Sequence, residues 1–477
     1  MASKAKRATA LILGAMMIAT AFTACGGSGS TTTSSTPGTT STGGDNSTTS
    51  QASVEAVDIG GEEYTAKLKD KMAEEASKAD DGKTIALTVW CSSDDGAFEK
   101  AIVKEFQEKY ADSRYNLEIK VKAVVGEDKA ATKLMEDASV AADVLSIADD
   151  QINDLYTAGK ISEVADIFQA SVMADNTKES VEACARDGVA LGFPKSSDNG
   201  FLLFYDKRVY PNAEDIATFD SLIEKAKAQK KNVFMSMGNA WYNSAFFLTA
   251  GCTIKLENNV QSADFNTDKG VSAVKSMQHI IANLDNGFQS ASEAGENADI
   301  ESGFNDGSLS AAITGTWMSH AISKAIGAEN LGAAKLPTVL MDGEQKQLQS
   351  FGGYKVVVVN SVTKFNITSQ TLAYYMTCPE TQAKRHSNYT VDGEDLSRGS
   401  IPTATATLES DAVKNDPAAQ AIEAQRPYSQ PQSNCGGKYW TPIGSIGSDL
   451  ISDQRNGVVA DDNTIMDRLN KAVEALV

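Results

Sequence analysis

The stretch TIALTVWCSSDDGAFEKAIVKEFQEKY, residues 84–110, decides the fold. Its opening residues alternate in the manner of a strand, and the remainder places Phe98, Ile102, Val103, Phe106 and Tyr110 on one helical stripe. Downstream, LEIKVKAVV (117–125) reads as a second strand, 126–140 as a second helix and DVLSIA (143–148) as a third strand. Strands separated by helices imply right-handed crossovers and a mainly parallel sheet. In such sheets ligands bind beyond the carboxyl ends of the strands. Those ends carry Ser92-Ser93-Asp94-Asp95 and Asp149-Asp150, so carboxylates collect at one rim.

Farther on, helices are predicted over 219–230 and 267–284, and aromatic-rich segments stand at 241–247 and 316–318. The unbroken run KVVVV (355–359) then reads as a strand buried on both faces, of the kind parallel sheets use. Arriving so late, it implies that the chain returns to the first sheet. The expected architecture is α/β with two lobes, each a mainly parallel sheet flanked by helices. Residues 84–194 with 355–399 make the first lobe, and 195–354 with 400–477 the second. A cleft between two such lobes is a usual place for a small-molecule site.

The composition narrows the chemistry. Among 477 residues, 43 Lys and Arg face 63 Asp and Glu, a net charge of −20. That argues against nucleic acid, whose binding runs on clustered cations, and against an anionic membrane surface as partner. Three scattered histidines (His279, His320, His386) and six cysteines without a Cys-x-x-Cys pair leave no metal site or cofactor to expect. No phosphate loop, zinc-protease motif or nucleophile elbow is present. The rim acids could form a glycosidase pair, Asp94 with Asp150 or Asp198, but nothing in the sequence singles out either pairing.

The N-terminus concerns location. Lys4, Lys6 and Arg7 precede an uncharged apolar run over 8–22, shorter than the ~20 residues of a membrane-spanning helix, and small residues then lead to Cys25. Residues 1–25 resemble a bacterial lipoprotein signal in which Cys25 carries the lipid. Residues 26–52 are almost wholly Gly, Ser and Thr, a flexible tether with a reach of about 30 Å. Residues 53–83 read as a charged spacer, at most a short solvated helix. Five cysteines follow Cys25, so an exported chain leaves at least one unpaired, and burial as small hydrophobes suits them all.

Five segments carry a resemblance: LTVWCSSDDGAFEKAIVKEFQEKY, AATKLMEDASVAADVLSIADDQINDLYTAGKISEV, NAWYNSAFFLTAGC, FNDGSLSAAITGTWMSHAI and GKYWTPIGSIGSDLI. In this order, across residues 84–457, they resemble the extracellular solute-binding proteins of ABC sugar importers, most of all the maltodextrin-binding group. The resemblance implies a two-lobed periplasmic-binding-protein-like fold with a ligand cleft between the lobes. It implies a monomeric binding protein rather than an enzyme, which passes an oligosaccharide to permease subunits. With the anchor, it implies a place on the outer face of the membrane of a Gram-positive bacterium. It also implies ligand contacts at Asp94, Asp95, Asp150, Asp198, Trp241, Tyr242, Trp317 and Trp440. Gly444 stands where one branch has a basic contact, and Ile147 where it has an aromatic. The set makes physical sense, because a pyranose ring lays its apolar face on an indole while its hydroxyls donate to carboxylates. Acidic candidates argue against anionic ligands. Another oligosaccharide or solute, a surface glycoside hydrolase and a polymer-binding adhesin are the competing readings.

Overall fold

The computed structural model describes residues 61–124, 127–257, 260–284 and 295–477. The signal segment, Cys25, the tether and the start of the charged spacer lie outside the described residues. Two main sheets are built from β1 (Thr84–Ser92), β2 (Asn116–Val124), β3 (Val144–Ala148), β4 (Phe193–Ser196), β5 (Leu202–Asp206), β6 (Asn232–Phe234), β7 (Leu309–Thr314), β8 (Leu331–Ala334) and β9 (Lys355–Val359). The first sheet has the order β2-β1-β3-β9-β4 and the second β8-β5-β7-β6. The chain is thus a two-lobed α/β protein, and the late β-branched run does return to the first sheet.

Strand sense departs from the expectation of mainly parallel sheets. β1 runs parallel to β2 and β3, but β9 is antiparallel to both β3 and β4. In the second sheet β5 is antiparallel to β7 and β8, and only β7 and β6 are parallel. The reason lies in where the chain crosses. It re-enters the first lobe at the rim where β3 ends, with Lys355 opposite Ala148, so β9 has to run backwards.

Alternation along β9 divides the first lobe into two cores. Val356 and Val358 join Leu145, Ile147 and Leu155 on one face, while Val357 and Val359 join Val89, Phe98 and Phe193 on the other. β5 does the same for the second lobe, with Leu203 packed among Val233, Phe246 and Ile313, and Leu202 and Phe204 among Phe234, Ala312 and Ile422. Each such Val, Leu, Ile or Phe side chain contributes about 1.5–3 kcal/mol on full burial.

Two boundaries shift. Within the charged spacer, the helix Glu62–Ala76 buries Leu68, Met72 and Ala76 in the first lobe's core, a four-residue spacing that makes one helical stripe. Its Glu75 carboxylate accepts from the backbone N–H of Ile367 at 2.7 Å and of Thr368 at 2.9 Å, capping the helix Asn366–Thr377. The segment after Gly399, expected in the second lobe, is still held by the first. Thr403 donates its backbone N–H to Gln382 at 2.6 Å and its hydroxyl to Asn176 at 2.7 Å. The second lobe resumes with the helix Pro417–Gln425, whose Ala418, Ala421 and Ile422 pack with Leu202 and Phe204.

Cys91, Cys184, Cys252, Cys378 and Cys435 are all free thiols, and all but Cys378 are buried. Burial pushes the thiols of Cys91, Cys184 and Cys252 up to about 12, which suits inert small hydrophobes. No described helix is long and apolar enough to cross a membrane.

Candidate functional site

Two adjoining chambers open along the rim where the first sheet faces the second lobe. The first, of about 280 Å³, is lined by Asp94, Asp95 and Lys355 from one side and Trp241, Tyr242 and Trp317 from the other. The second, of about 440 Å³, is lined by Asp150, Trp440 and Gly444. Asn239, Trp241 and Gln432 belong to both walls, so the chambers form one elongated cleft. A larger hollow of about 740 Å³ lies by Tyr354, Ile401 and Arg426, but it has no tryptophan in its wall.

Local structure sets the aromatic surfaces. Asn239 caps the helix Ala240–Thr249 by accepting from the Trp241 N–H at 2.9 Å, which fixes Trp241 at the helix start beside the cleft. Trp317 sits in the turn Thr316–Met318 directly after β7, its ring 5.7 Å from that of Trp241 and inclined by 39°. Its indole Nε1 donates to Asn297 at 3.2 Å, and Lys355 Nζ lies 4.9 Å over the ring from the opposite lobe. Trp440 opens the helix Trp440–Arg455 with Phe351 edge-on at 5.9 Å. All three tryptophans are half-buried. Tyr242 differs: it is 3 % exposed and packs behind Trp241 against Phe201, so most of the ring is core.

The four aspartates fall into two kinds. Asp94 is exposed and accepts from Asn297 Nδ2 at 3.4 Å, and Asp150 accepts from Gln432 Nε2 at 3.2 Å. Asp95, by contrast, is enclosed by three cations, with Lys195 at 2.5 Å, Arg385 at 3.1 Å and Arg398 at 3.3 Å. Burial works against its ionisation, but Lys195, Arg385 and Arg398 outweigh it and hold the carboxyl well below the usual range. Glu99, fully buried, completes the cluster at 2.6 Å from Arg385. Asp198 lines neither chamber. It is 1 % exposed and accepts from the Thr316 hydroxyl at 2.6 Å and the Ile401 N–H at 3.2 Å, tying the Trp317 turn to the chain between the lobes. Asp95 is therefore a clamp facing the chamber, and Asp198 is a strut behind it.

The expectation of an acidic cleft also changes. Lys129, Lys195, Lys355 and Arg398 line the first chamber together with its acids. Among the described residues no cluster of His, Cys, Asp and Glu is placed to hold a metal ion. Asn199, Asn239, Asn297, Lys355 and Gln432 are cleft residues that the sequence reading passes over. Asn-Ala-Trp before an apolar helix is a legible cap for Asn239, but Gln432, between Pro431 and Ser433, carries no signal.

The chain matches the family model of the bacterial extracellular solute-binding proteins over residues 101–421. It is 25% identical over 389 residues to a galactooligosaccharide-binding protein of Bacillus subtilis (strain 168), across 78% of this chain and 86% of that protein. Its fold is similar to that of the maltodextrin binding protein of L. casei BL23 without ligand, with a TM-score of 0.62 and 23% identity over 82% of this chain and 99% of that one. It is likewise similar to a Streptococcus pneumoniae protein in complex with maltopentaose, with a TM-score of 0.66 and 20% identity over 82% of this chain and 100% of that one.

Proposed function

This chain belongs to the bacterial extracellular solute-binding proteins, and from that premise we propose that it binds an oligosaccharide in the cleft between its lobes, α-1,4-glucan fragments foremost, and passes it to the permease subunits of an ABC importer. The observation that carries this reading is the pair of half-buried indoles, Trp241 and Trp317, 5.7 Å apart along a cleft with a carboxylate in each chamber. An indole face offers a sugar ring apolar area at a fixed angle, and Asp94 and Asp150 accept hydrogen bonds from hydroxyls, each worth about 1.5–3 kcal/mol. Trp440 supplies a third surface in the second chamber. The two chambers together fall in the roughly 300–1,000 Å³ range of ordinary ligand pockets. Cys25 carries the lipid that holds the protein at the outer face of the membrane, and the protein works as a monomer without a cofactor.

A thermal-shift series tests the reading. A ligand at a hundredfold excess over its Kd stabilises the native state by about 2.7 kcal/mol. Maltotriose or maltopentaose should raise the melting temperature and should be recovered unhydrolysed. A shift with galacto-oligosaccharides alone moves the ligand to the second reading, which the Bacillus subtilis relative favours. No shift with any oligosaccharide refutes the proposal.

A further inference from the structure

Gln432 stands at the junction of the two chambers. It follows the short strand Ser429–Pro431, which pairs with Ser350–Gly352 where the chain passes between the lobes. Its Oε1 accepts from Trp241 Nε1 at 2.9 Å and from Asn199 Nδ2 at 3.3 Å, and its Nε2 donates to Asp150 Oδ2 at 3.2 Å. These partners fix which end of the amide is which, because an indole can only donate and a carboxylate only accept. Asp150 belongs to the first lobe, after β3, and Trp241 to the second, so one side chain bridges the cleft.

We propose that Gln432 is the length gate of the cleft: its amide latches the lobes together and has to swing aside before a ligand can occupy both chambers at once. The inference rests on the oligosaccharide reading above and adds what sets the accepted chain length. A sugar hydroxyl can accept from an N–H and donate to a carboxylate, the same exchange the amide makes between Trp241 and Asp150. Ligand and Gln432 therefore compete for the same two groups. A short sugar confined to one chamber leaves the latch in place. A longer one has to displace it, and its affinity is reduced by the cost of doing so. Asn297 on Asp94 and Lys355 over Trp317 also join the lobes, but both lie within the first chamber and leave the junction to Gln432.

Gln432→Ala tests the gate by calorimetric titration with maltose and with maltopentaose, alongside small-angle scattering of the ligand-free protein. The affinity for maltopentaose should rise about tenfold, equivalent to roughly 1.4 kcal/mol and about one competing hydrogen bond. The affinity for maltose should rise by clearly less than that for maltopentaose, because a sugar confined to one chamber meets the amide at the chamber's wall and does not have to displace it from both partners. The ligand-free radius of gyration should increase. Weaker binding of both sugars would make Gln432 an ordinary contact and overturn the gate, as would equal gains for both. Gln432→Glu keeps the side-chain length and sets a carboxylate against Asp150, so it too should open the ligand-free protein; a radius unchanged in both variants overturns the latch. Absence of glucan binding by the unaltered protein refutes the α-1,4-glucan reading above instead, and the scattering still decides the latch.

Discussion

Asp95→Asn separates a ligand contact from a structural clamp. The amide keeps the size of the side chain and removes its charge from among Lys195, Arg385 and Arg398, leaving Glu99 as the remaining carboxylate of the cluster. Lys195 and Arg385 are each 1 % exposed, so water cannot take over the lost partner. Breaking a buried pair on one side typically costs about 3–5 kcal/mol, because the other charge stays buried and uncompensated. For a lobe of this size each kcal/mol moves the melting temperature by about 2–4 °C, so a fall on the order of 10 °C is expected in the ligand-free protein. The pH dependence gives a second reading. The folded carboxyl sits well below its unfolded value of about 3.9, so its stabilisation is fully present above that value and is lost as the pH falls toward the folded one. Calorimetric melts of both proteins should therefore differ strongly at pH 7 and converge under strong acid. An unchanged melt together with a tenfold loss of sugar affinity would refute the clamp and make Asp95 a ligand contact.

Trp317→Ala should weaken oligosaccharide binding by about thirtyfold, near 2 kcal/mol, and lower the ligand-free melt less than loss of a fully buried aromatic does, because the half-buried ring faces Lys355 and Trp241 and only edges the core of Phe204 and Met318. Tyr242→Ala should do the reverse and lower stability by about 3–5 kcal/mol, as core aromatics do. Asp150→Asn should cost roughly one charge-assisted hydrogen bond in titration, about tenfold. Asp149 is pushed up to about 6 by burial, against the opposing hydrogen bond from the Tyr354 N–H. Its folded form holds a proton more tightly than the unfolded chain does, so stability falls as pH rises from about 4 through about 6, and Asp149→Asn should flatten that slope in melts across the range. Cys25→Ser should release the protein from the membrane fraction, as fractionation and blotting would show; retention with membranes refutes the anchor.

Local periodicity was enough to read β1, the helix after it, β2, β3 and β9, because each shows its hydrophobic pattern within a few residues. Strand sense was not, since a strand buried on both faces is an apolar run whichever way it points. In the helix Glu62–Ala76 the stripe of Leu68, Met72 and Ala76 is spaced among charges that read as solvated. The three cleft tryptophans are prominent by rarity and by their place in the family pattern. Asp95 and Asp198 stand in that pattern too, yet what decides their role is distant in sequence: Lys195 and Arg385 for the first, Thr316 and Ile401 for the second. Gln432 has meaning only through Asp150, Asn199 and Trp241, and no short window contains all four.

The docked helix Glu62–Ala76 sets a path for mechanical load. A pull applied at residue 61 passes through Leu68 and Met72 into the first lobe's core, and through Glu75 into the helix Asn366–Thr377. None of it has to travel along the strands that run between the lobes. The second lobe is then carried by the first and lies off the path of that load. Tugging the protein by its N-terminal end while it exchanges ligand would drag the whole body without prising the cleft open.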